Sequence, residues 1–536
     1  MTFRSIAFLL CVGFLLLHQN TYAQLTASGV VYDDTNRNGS YDQDEKPLEG
    51  IGVSNGKEVV LTNREGRYTL SIDENDATVF VIKPAGFEFP LNKLNQPQFF
   101  YIHKPNGSPD LRYKGVEPTG PLPTSLNFPL YKSESKGEFK VLLFGDPQPY
   151  TQQEIEFFDR DIVNELEGAE GYEFGITLGD IVGDDLDLFK PYNESIARIG
   201  TPWFNVYGNH DMNFDVESDS LADETFEATF GPATYSFDHG KAHFIILDDV
   251  VYPRTDGRSG YIGGLTSKQL SFIENDLQHV PEEKLIVIAF HIPIFTPNTP
   301  DRTFRIEDRS RLFELLKDYP NTLSLSAHTH LQRFHFFDVE EGWQRLEPHM
   351  HYNVGTTGGD WWSGEFDERG IPTTLMRDGT PNGYAILNIS GNDFTIDYKV
   401  ANSGDDDRMS LWGPKVVPQN RWHGAQLYVN YYLGNEYTKV EYKLQGSDAE
   451  WRPMNRVAEQ DPHVASLRQK WDRMEEMPEQ GRRPSNPVES DHLWKVNVPN
   501  NLPIGTHVIN IRVTDMFGRI FEEQFSYEVV EPTYAR

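Results

Sequence analysis

Between Phe139 and Leu325, six short apolar runs alternate with segments of helical spacing, which restricts the middle of the chain to an α/β arrangement. The runs are Phe139 to Phe144, Phe174 to Leu178, Trp203 to Val206, His243 to Leu247, Leu285 to Phe290 and Leu323 to Leu325. Continuous apolar runs of this length suit strands buried on both faces. Ile155, Phe158, Ile162 and Leu166 recur at helical spacing, as do Leu270, Ile273 and Leu277. Thr266 and Gln269 offer a capping box ahead of the second set. Two later strands are expected at Tyr384 to Ile389 and Phe394 to Val400.

At 536 residues the chain is too long for one core. Its flanks differ from its middle. Residues 24–135 carry short β-type runs (Val30 to Tyr32, Val59 to Leu61, Tyr68 to Ser71, Val79 to Ile82) parted by Gly- and Asn-rich turns, which predicts a small β-sandwich. A Pro- and Gly-rich stretch and a polar run then mark a boundary near 135. The α/β unit covers 136–402 and ends at the acidic stretch Asn402 to Asp407. Residues 403–536 return to alternating strands, such as Val440 to Leu444 and His507 to Val513, with a polar helix-plus-loop insert from Gln469 to Ser490. Their ending, from Leu502 to Gly518, resembles the late strands of immunoglobulin-like domains.

Residues 1–23 read as a signal peptide: Arg4, then the apolar run Ile6 to Leu17, then Thr21-Tyr22-Ala23 ahead of a cleavage site at Gln24. A periplasmic or secreted location is expected. The single cysteine, Cys11, lies in this segment behind Leu10, where a lipoprotein signal wants a small residue. A mature chain so cut has no disulfide and no thiolate zinc site. Aromatic residues make up 13% of the chain, which argues against disorder. The net charge of -33 opposes binding to nucleic acid backbones and anionic membranes. A small phosphate remains an admissible substrate where metal ions dominate the local field.

Five motifs follow the predicted strands: Asp146-Pro147-Gln148, Gly179-Asp180 with Asp184, Gly208-Asn209-His210-Asp211, His291-Ile292-Pro293 and Ala327-His328-Thr329-His330. Ligands at the carboxyl ends of successive strands converge on one crevice in open α/β sheets. Asp, Asn and Gln oxygens mixed with imidazoles suit Mn, Fe or Zn. Singly, a strand-end Asp reads as a helix cap, a lone His as a satisfied surface or core group, and Gly-Asn-His-Asp as a tight turn; five in order do not.

With these motifs, residues 138–400 resemble the calcineurin-like metallophosphoesterase superfamily. The resemblance implies two β-sheets sandwiched between helices and a pair of divalent metal ions. It implies that Asp146, Gln148 and His330 hold the first metal, that Asp180 bridges both, and that Asn209, His291 and His328 complete the second. It makes His210 a catalytic residue that is not a ligand, with Asp211 orienting its ring. Asp184 could hold a ligand or cap a helix. Two departures stand out: Gln148 occupies the place of the commoner His, although one branch of the family uses Asp-Pro-Gln, and Ala327 replaces Gly. The flanking units are similar to those of three-part bacterial members. The implied activity is hydrolysis of a small phosphate mono- or diester.

Other features stand outside these motifs. Asp34, Asn36, Asn38, Ser40, Asp42 and Glu45, with Gly39 at the sixth place, match the spacing of a calcium loop. The alternative is an acidic, solvated hairpin loop. Trp361 and Trp362, between glycines, suggest an aromatic wall for the leaving group or packing against a flanking unit. Arg377 could contact phosphate or pair at the surface. His349 and His351 read as ordinary residues ahead of a strand. The competing functional classes are a surface binding protein that uses its β-units to hold glycan or protein, and a glycoside hydrolase. The latter needs two carboxylates free of metal duty.

Overall fold

The computed structural model describes residues 25–254, 257–295, 303–476, 478 and 480–532. The expected signal peptide and Cys11 lie outside them. No helix among the described residues is long and apolar enough to cross a membrane.

The central unit is built on two facing sheets. The first has the order β3 (Trp203–Val206), β2 (Phe174–Leu178), β1 (Glu138–Phe144), β10 (Gly383–Ser390), β11 (Asp393–Val400). Pairing is parallel from β1 to β3 and antiparallel beyond β1. The second has the order β4 (Tyr235–His239), β5 (Ala242–Ile246), β6 (Leu285–Ala289), β7 (Asn321–Ser326), β9 (His349–Asn353), β8 (Arg333–Phe337). Its inner four strands, β5, β6, β7 and β9, run parallel.

Alternation along β1 shows how the layers form. Phe139, Val141 and Leu143 enter the core shared by the two sheets, while Leu142 and Phe144 turn to the helical layer holding Ile155, Phe158 and Tyr192. Rings close the gap between sheets: Phe204 stacks on Phe237 with centroids 4.3 Å apart, and Phe174 meets Phe244 edge-on at 5.2 Å. Each fully buried Phe contributes about 1.5–3 kcal/mol of transfer free energy. Helices α1 (Gln152–Phe158) and α2 (Phe189–Ile196) cover the first sheet. Helices α4 (Ser267–Leu277) and α5 (Ile306–Leu316) cover the second, and α3 (Glu224–Phe230) lies before β4. The result is the four-layer metallophosphoesterase fold. The capping box of α4 forms as the sequence predicts, through Thr266 and Gln269. A π turn at Asp159–Val163 follows α1, so the spacing of Ile155, Phe158, Ile162 and Leu166 spans a bulged helix.

Strand-rich units flank this core. On the N-terminal side, sheets built around Leu25–Asp33 and Ala77–Ile82 hold residues 25–132. This unit meets the core through Phe80 on Phe272 of α4, at 5.6 Å, and through the Trp203 amide, which donates to the Asn95 carbonyl. On the C-terminal side, sheets of four and five strands fill residues 409–530. Gly505–Thr514 and Ile520–Val530 form their longest hairpin. The helix there is α6 (Pro462–Asp472), capped by Asp461, so it begins ahead of the insert expected at Gln469. Asp397 of β11 receives Arg408 and Arg519 at 2.9 and 3.0 Å.

Candidate metal centre

The five motifs occupy the loops that leave β1, β2, β3, β6 and β7. The parallel pairings set these strand ends side by side. Two short-contact sites explain the glycines: a Cβ on Gly179 would strike the His291 ring, and one on Gly208 would strike the Asp180 backbone. The chain turns sharply here. Of twelve described non-glycine residues with positive φ, eight belong to this region: Asp146, Gln148, Asp180, Asp184, His328, His330, Trp361 and Trp362, with φ between 36° and 70°. Each such residue costs on the order of 1–3 kcal/mol, held by the surrounding packing.

The side chains converge. His291 is fully buried and donates from Nδ1 to the Leu178 carbonyl at 2.8 Å. Its Nε2 then faces Asn209 Oδ1 at 3.1 Å, Asp180 Oδ1 at 3.2 Å and His328 Nδ1 at 3.3 Å. One ring nitrogen cannot satisfy three partners, and four potential ligand atoms around one point suit a cation. Ligand atoms of Asp180, His291 and His328 all lie within 4.8 Å of one another. Beside them, both Asp146 oxygens accept from the His328 amide at 3.0 Å, and His330 Nε2 lies 3.8 Å from Asp146 Oδ1. His330 Nδ1 is buried without a hydrogen-bond partner. Gln148 turns its amide nitrogen to Asp180 Oδ2 at 3.3 Å, and its oxygen accepts from Trp361 Nε1 at 2.6 Å.

Proton affinities reflect the same crowding. Burial and then the neighbouring Asp180 charge push the Asp146 carboxyl well above its usual range, after partial relief by His291. Burial opposes charge on Asp180 too, but His291 and His210 outweigh it and hold Asp180 low. Burial opposes a proton on His291, yet Asp180 pushes its pKa up to about 10. Burial holds His328 and His330 down to about 3, with the His291 charge adding to the effect on His328. His328 and His330 are thus held in the neutral form that binds metal, whereas Asp146 and His291 must give up protons as a cation enters.

Around this set, the structure corrects two expectations. Asp211 does not orient His210. Its buried carboxylate accepts from the amides of Ile181, Val182 and Gly208, tying the second and third motifs together, and burial pushes its pKa up to about 8. Asp184 takes the orienting part: His210 Nδ1 donates to its Oδ1 at 2.6 Å. Burial disfavours charge on that ring, but Asp180 and Asp184 push its pKa up to about 9. Trp362 is not a wall facing substrate. It is 3% exposed and packs on Phe157 at 5.8 Å. Trp361 alone faces the centre, its ring 4.4 Å from that of His330. Arg377 donates to the carbonyl of Thr329, between the two histidines of the last motif.

Three further residues escape a reading by motif. Buried Asp249 accepts from the amides of His291 and Ile292 and so sets the fourth loop. Tyr261 stands edge-on to His328 at 6.0 Å. Arg482, from the C-terminal unit, lies 5.9 Å over the Trp361 ring. Asp249 follows β5 as the motif acids follow their strands, which is a usable signal; Tyr261 and Arg482 carry none.

A four-layer fold whose strand ends gather Asp, Asn, Gln and His about one point defines a metal-dependent phosphoester hydrolase. The chain belongs to the calcineurin-like phosphoesterase family. Models of that family's N-terminal part, of calcineurin-like phosphoesterase itself and of the family's C-terminal part match residues 35–114, 139–332 and 351–521. Among curated proteins, no sequence matches the chain. Among solved structures, a dimetal phosphatase from Danio rerio is 14% identical at a TM-score of 0.34, over 48% of this chain and 98% of that one. The purple acid phosphatase PPD1 of yellow lupin is 14% identical at 0.35, over 67% and 75%. Vps29 of Chaetomium thermophilum is 12% identical at 0.19, over 59% and 94%. Likenesses at such scores carry no argument.

Proposed function

We propose that this chain hydrolyses a small phosphate mono- or diester outside the cytoplasm, with two divalent cations drawn from Mn, Fe and Zn. The observation that carries the reading is the convergence on His291 Nε2 of Asn209, Asp180 and His328. Asp180 presents Oδ1 to His291 and Oδ2 to Gln148, which supports its placement between two ligand sets. One set is Asp146, Gln148 and His330; the other is Asn209, His291 and His328. Gln148 can serve although Trp361 occupies one lone pair of its oxygen, because an amide oxygen has two. The extracytoplasmic location rests on the leader-like residues 1–23.

Divalent cations held by these residues would neutralise phosphate charge and supply a water of lowered pKa. The chain's own residues do the rest. His210 has a side chain 28% exposed, and Asp184 fixes its Nδ1, which leaves Nε2 to hold a proton for the leaving oxygen. Asp211 and Asp249 hold the loops by their amides and touch no substrate. Trp361 gives a flat apolar face beside His330 for the organic part of the ester, with Arg482 above it.

The test is turnover of p-nitrophenyl phosphate and bis-p-nitrophenyl phosphate by the full chain with Mn, Zn or Fe added. We expect hydrolysis of at least one ester, abolished in Asp180→Ala. Full turnover by Asp180→Ala would refute the assignment.

A further inference from the structure

A twelve-residue acidic loop stands apart from the metal centre, between the first two strands of the N-terminal unit. Leu25–Asp33 and Lys46–Pro47 pair as a hairpin, with Asp33 opposite Lys46, and the twelve residues Asp34 to Glu45 form its loop. Oxygen-bearing side chains fall at loop positions 1, 3, 5, 9 and 12, and the sixth residue is Gly39, at φ 72°. That pattern is the one by which a twelve-residue loop encloses calcium.

Spacing alone would describe a solvated turn equally well, but burial and partner satisfaction do not. Asp34 is 1% exposed and Glu45 5%, although both ends of a solvated acidic loop would stand in water. Asp34 accepts from the amides of Asn38 and Gly39, at 3.2 and 2.8 Å, which folds the loop over its first carboxylate. Glu45 Oε2 accepts from the Asp42 amide at 3.0 Å, so the last carboxylate is turned into the loop. Its other oxygen, Oε1, is buried without a hydrogen-bond partner. A buried carboxylate oxygen left bare costs several kcal/mol of desolvation unless a cation meets it. The side-chain amides of Asn36 and Asn38 both reach Asp42 Oδ2, at 2.9 and 2.8 Å, which gathers the remaining donors on one side. The three acids of this set, Asp34, Asp42 and Glu45, are not drawn within 4.8 Å of one another as the ligands of the metal centre are. That looser set suits calcium, which takes six to eight oxygens and reaches the ninth position through water.

We infer that Asp34, Asn36, Asn38, the Ser40 carbonyl, Asp42 and Glu45 form a calcium site that braces the N-terminal unit. All its donors are oxygens, so it discriminates against the borderline ions favoured by imidazole. Its fourth residue, Arg37, lies over Tyr131 at 4.9 Å, at the rim of a cavity of about 590 Å³ between the N-terminal and central units. Calcium would thus fix one wall of that cavity.

The experiment is calorimetric titration of the chelator-treated full chain with calcium chloride, beside Glu45→Gln and Asn36→Asp. We expect one calcium to bind with Kd of order 10⁻⁴–10⁻³ M, about tenfold weaker binding in Glu45→Gln, and tighter binding in Asn36→Asp, which adds a charge at position 3. Turnover of p-nitrophenyl phosphate in added manganese should match the unaltered chain in both variants, which shows them folded and separates this site from the metal centre. Equal calcium affinity in all three proteins, or no calcium binding by any, overturns the proposal. Should Glu45→Gln fail to fold, the Asn36→Asp comparison decides alone.

Discussion

The side chains of His210 and Trp361 each make a polar contact that was not visible in the chain. His210 is fixed by Asp184 at 2.6 Å, 26 positions away. His210→Asn should lower kcat by about 10²–10⁴-fold, the usual worth of a positioned proton donor, with bound metal unchanged. Asp184→Asn should give a smaller loss, because the ring remains. Steady-state kinetics with metal analysis on the same preparations checks both. Trp361 donates to the Gln148 oxygen at 2.6 Å. Trp361→Phe keeps the ring and removes the bond, so metal affinity should fall about 10–100-fold, as when other outer partners of a ligand are lost; titration of the chelated protein with manganese reads it. Sequence showed the residue types at the strand ends because each motif follows an apolar run. It placed Asp211 on His210 through adjacency, whereas a carboxylate beside a turn is more easily taken by backbone amides, here those of Ile181, Val182 and Gly208. Likewise, nothing in a Trp-Trp pair tells which ring is buried.

At the scale of elements, His243 on β5 joins Asp238 of β4, at 2.8 Å, to Asp276 of α4, at 3.0 Å, with Lys284 also on Asp238. Burial opposes its charge, but the two carboxylates push its pKa up to about 9 from an ordinary 6.5. Since the folded value is the higher, this stabilisation is complete below pH 6.5, declines above it and is gone once pH has passed about 9. Its full worth is up to about 3 kcal/mol. Denaturant unfolding at about pH 6 and about pH 9.5 should therefore show a loss that His243→Gln does not, beyond the changes common to both proteins. If both proteins lose equally, the histidine plays no such part. Strands β4 and β8 escaped the sequence reading, and the start of β9 was set too late, for one reason. Each carries His, Asp, Arg or Asn among its apolar residues, so no apolar run announces it. His349 and His351 lie within β9 rather than ahead of it. Both are buried, where Thr322, Ser324 and Ser326 of β7 satisfy their rings. Strands with apolar runs were legible because nothing but burial accounts for them; these three need a partner strand to make sense.

In the whole molecule, the N-terminal unit is bolted to the core by a buried ion cluster. Lys104, 3% exposed, reaches Glu224 and Glu227 of α3 at 2.7 and 2.9 Å and Asp76 at 3.5 Å. Lys104→Ala leaves two acids packed without their cation, so unfolding free energy should fall by about 3–5 kcal/mol. A loss below about 1 kcal/mol in denaturant titration would show the cluster to be solvated. A junction of this kind joins residues far apart in the chain, so composition shifts do not reveal it. The same holds for the centre itself, where side chains from four loops meet at one ring nitrogen and those of the fifth lie beside them. Its direct test is the metal content of the purified chain after equilibration with Mn or Zn, measured by elemental analysis beside Asp180→Asn. The account predicts two ions per chain and fewer than one in the variant. Equal metal in both proteins, or none in either, would contradict it.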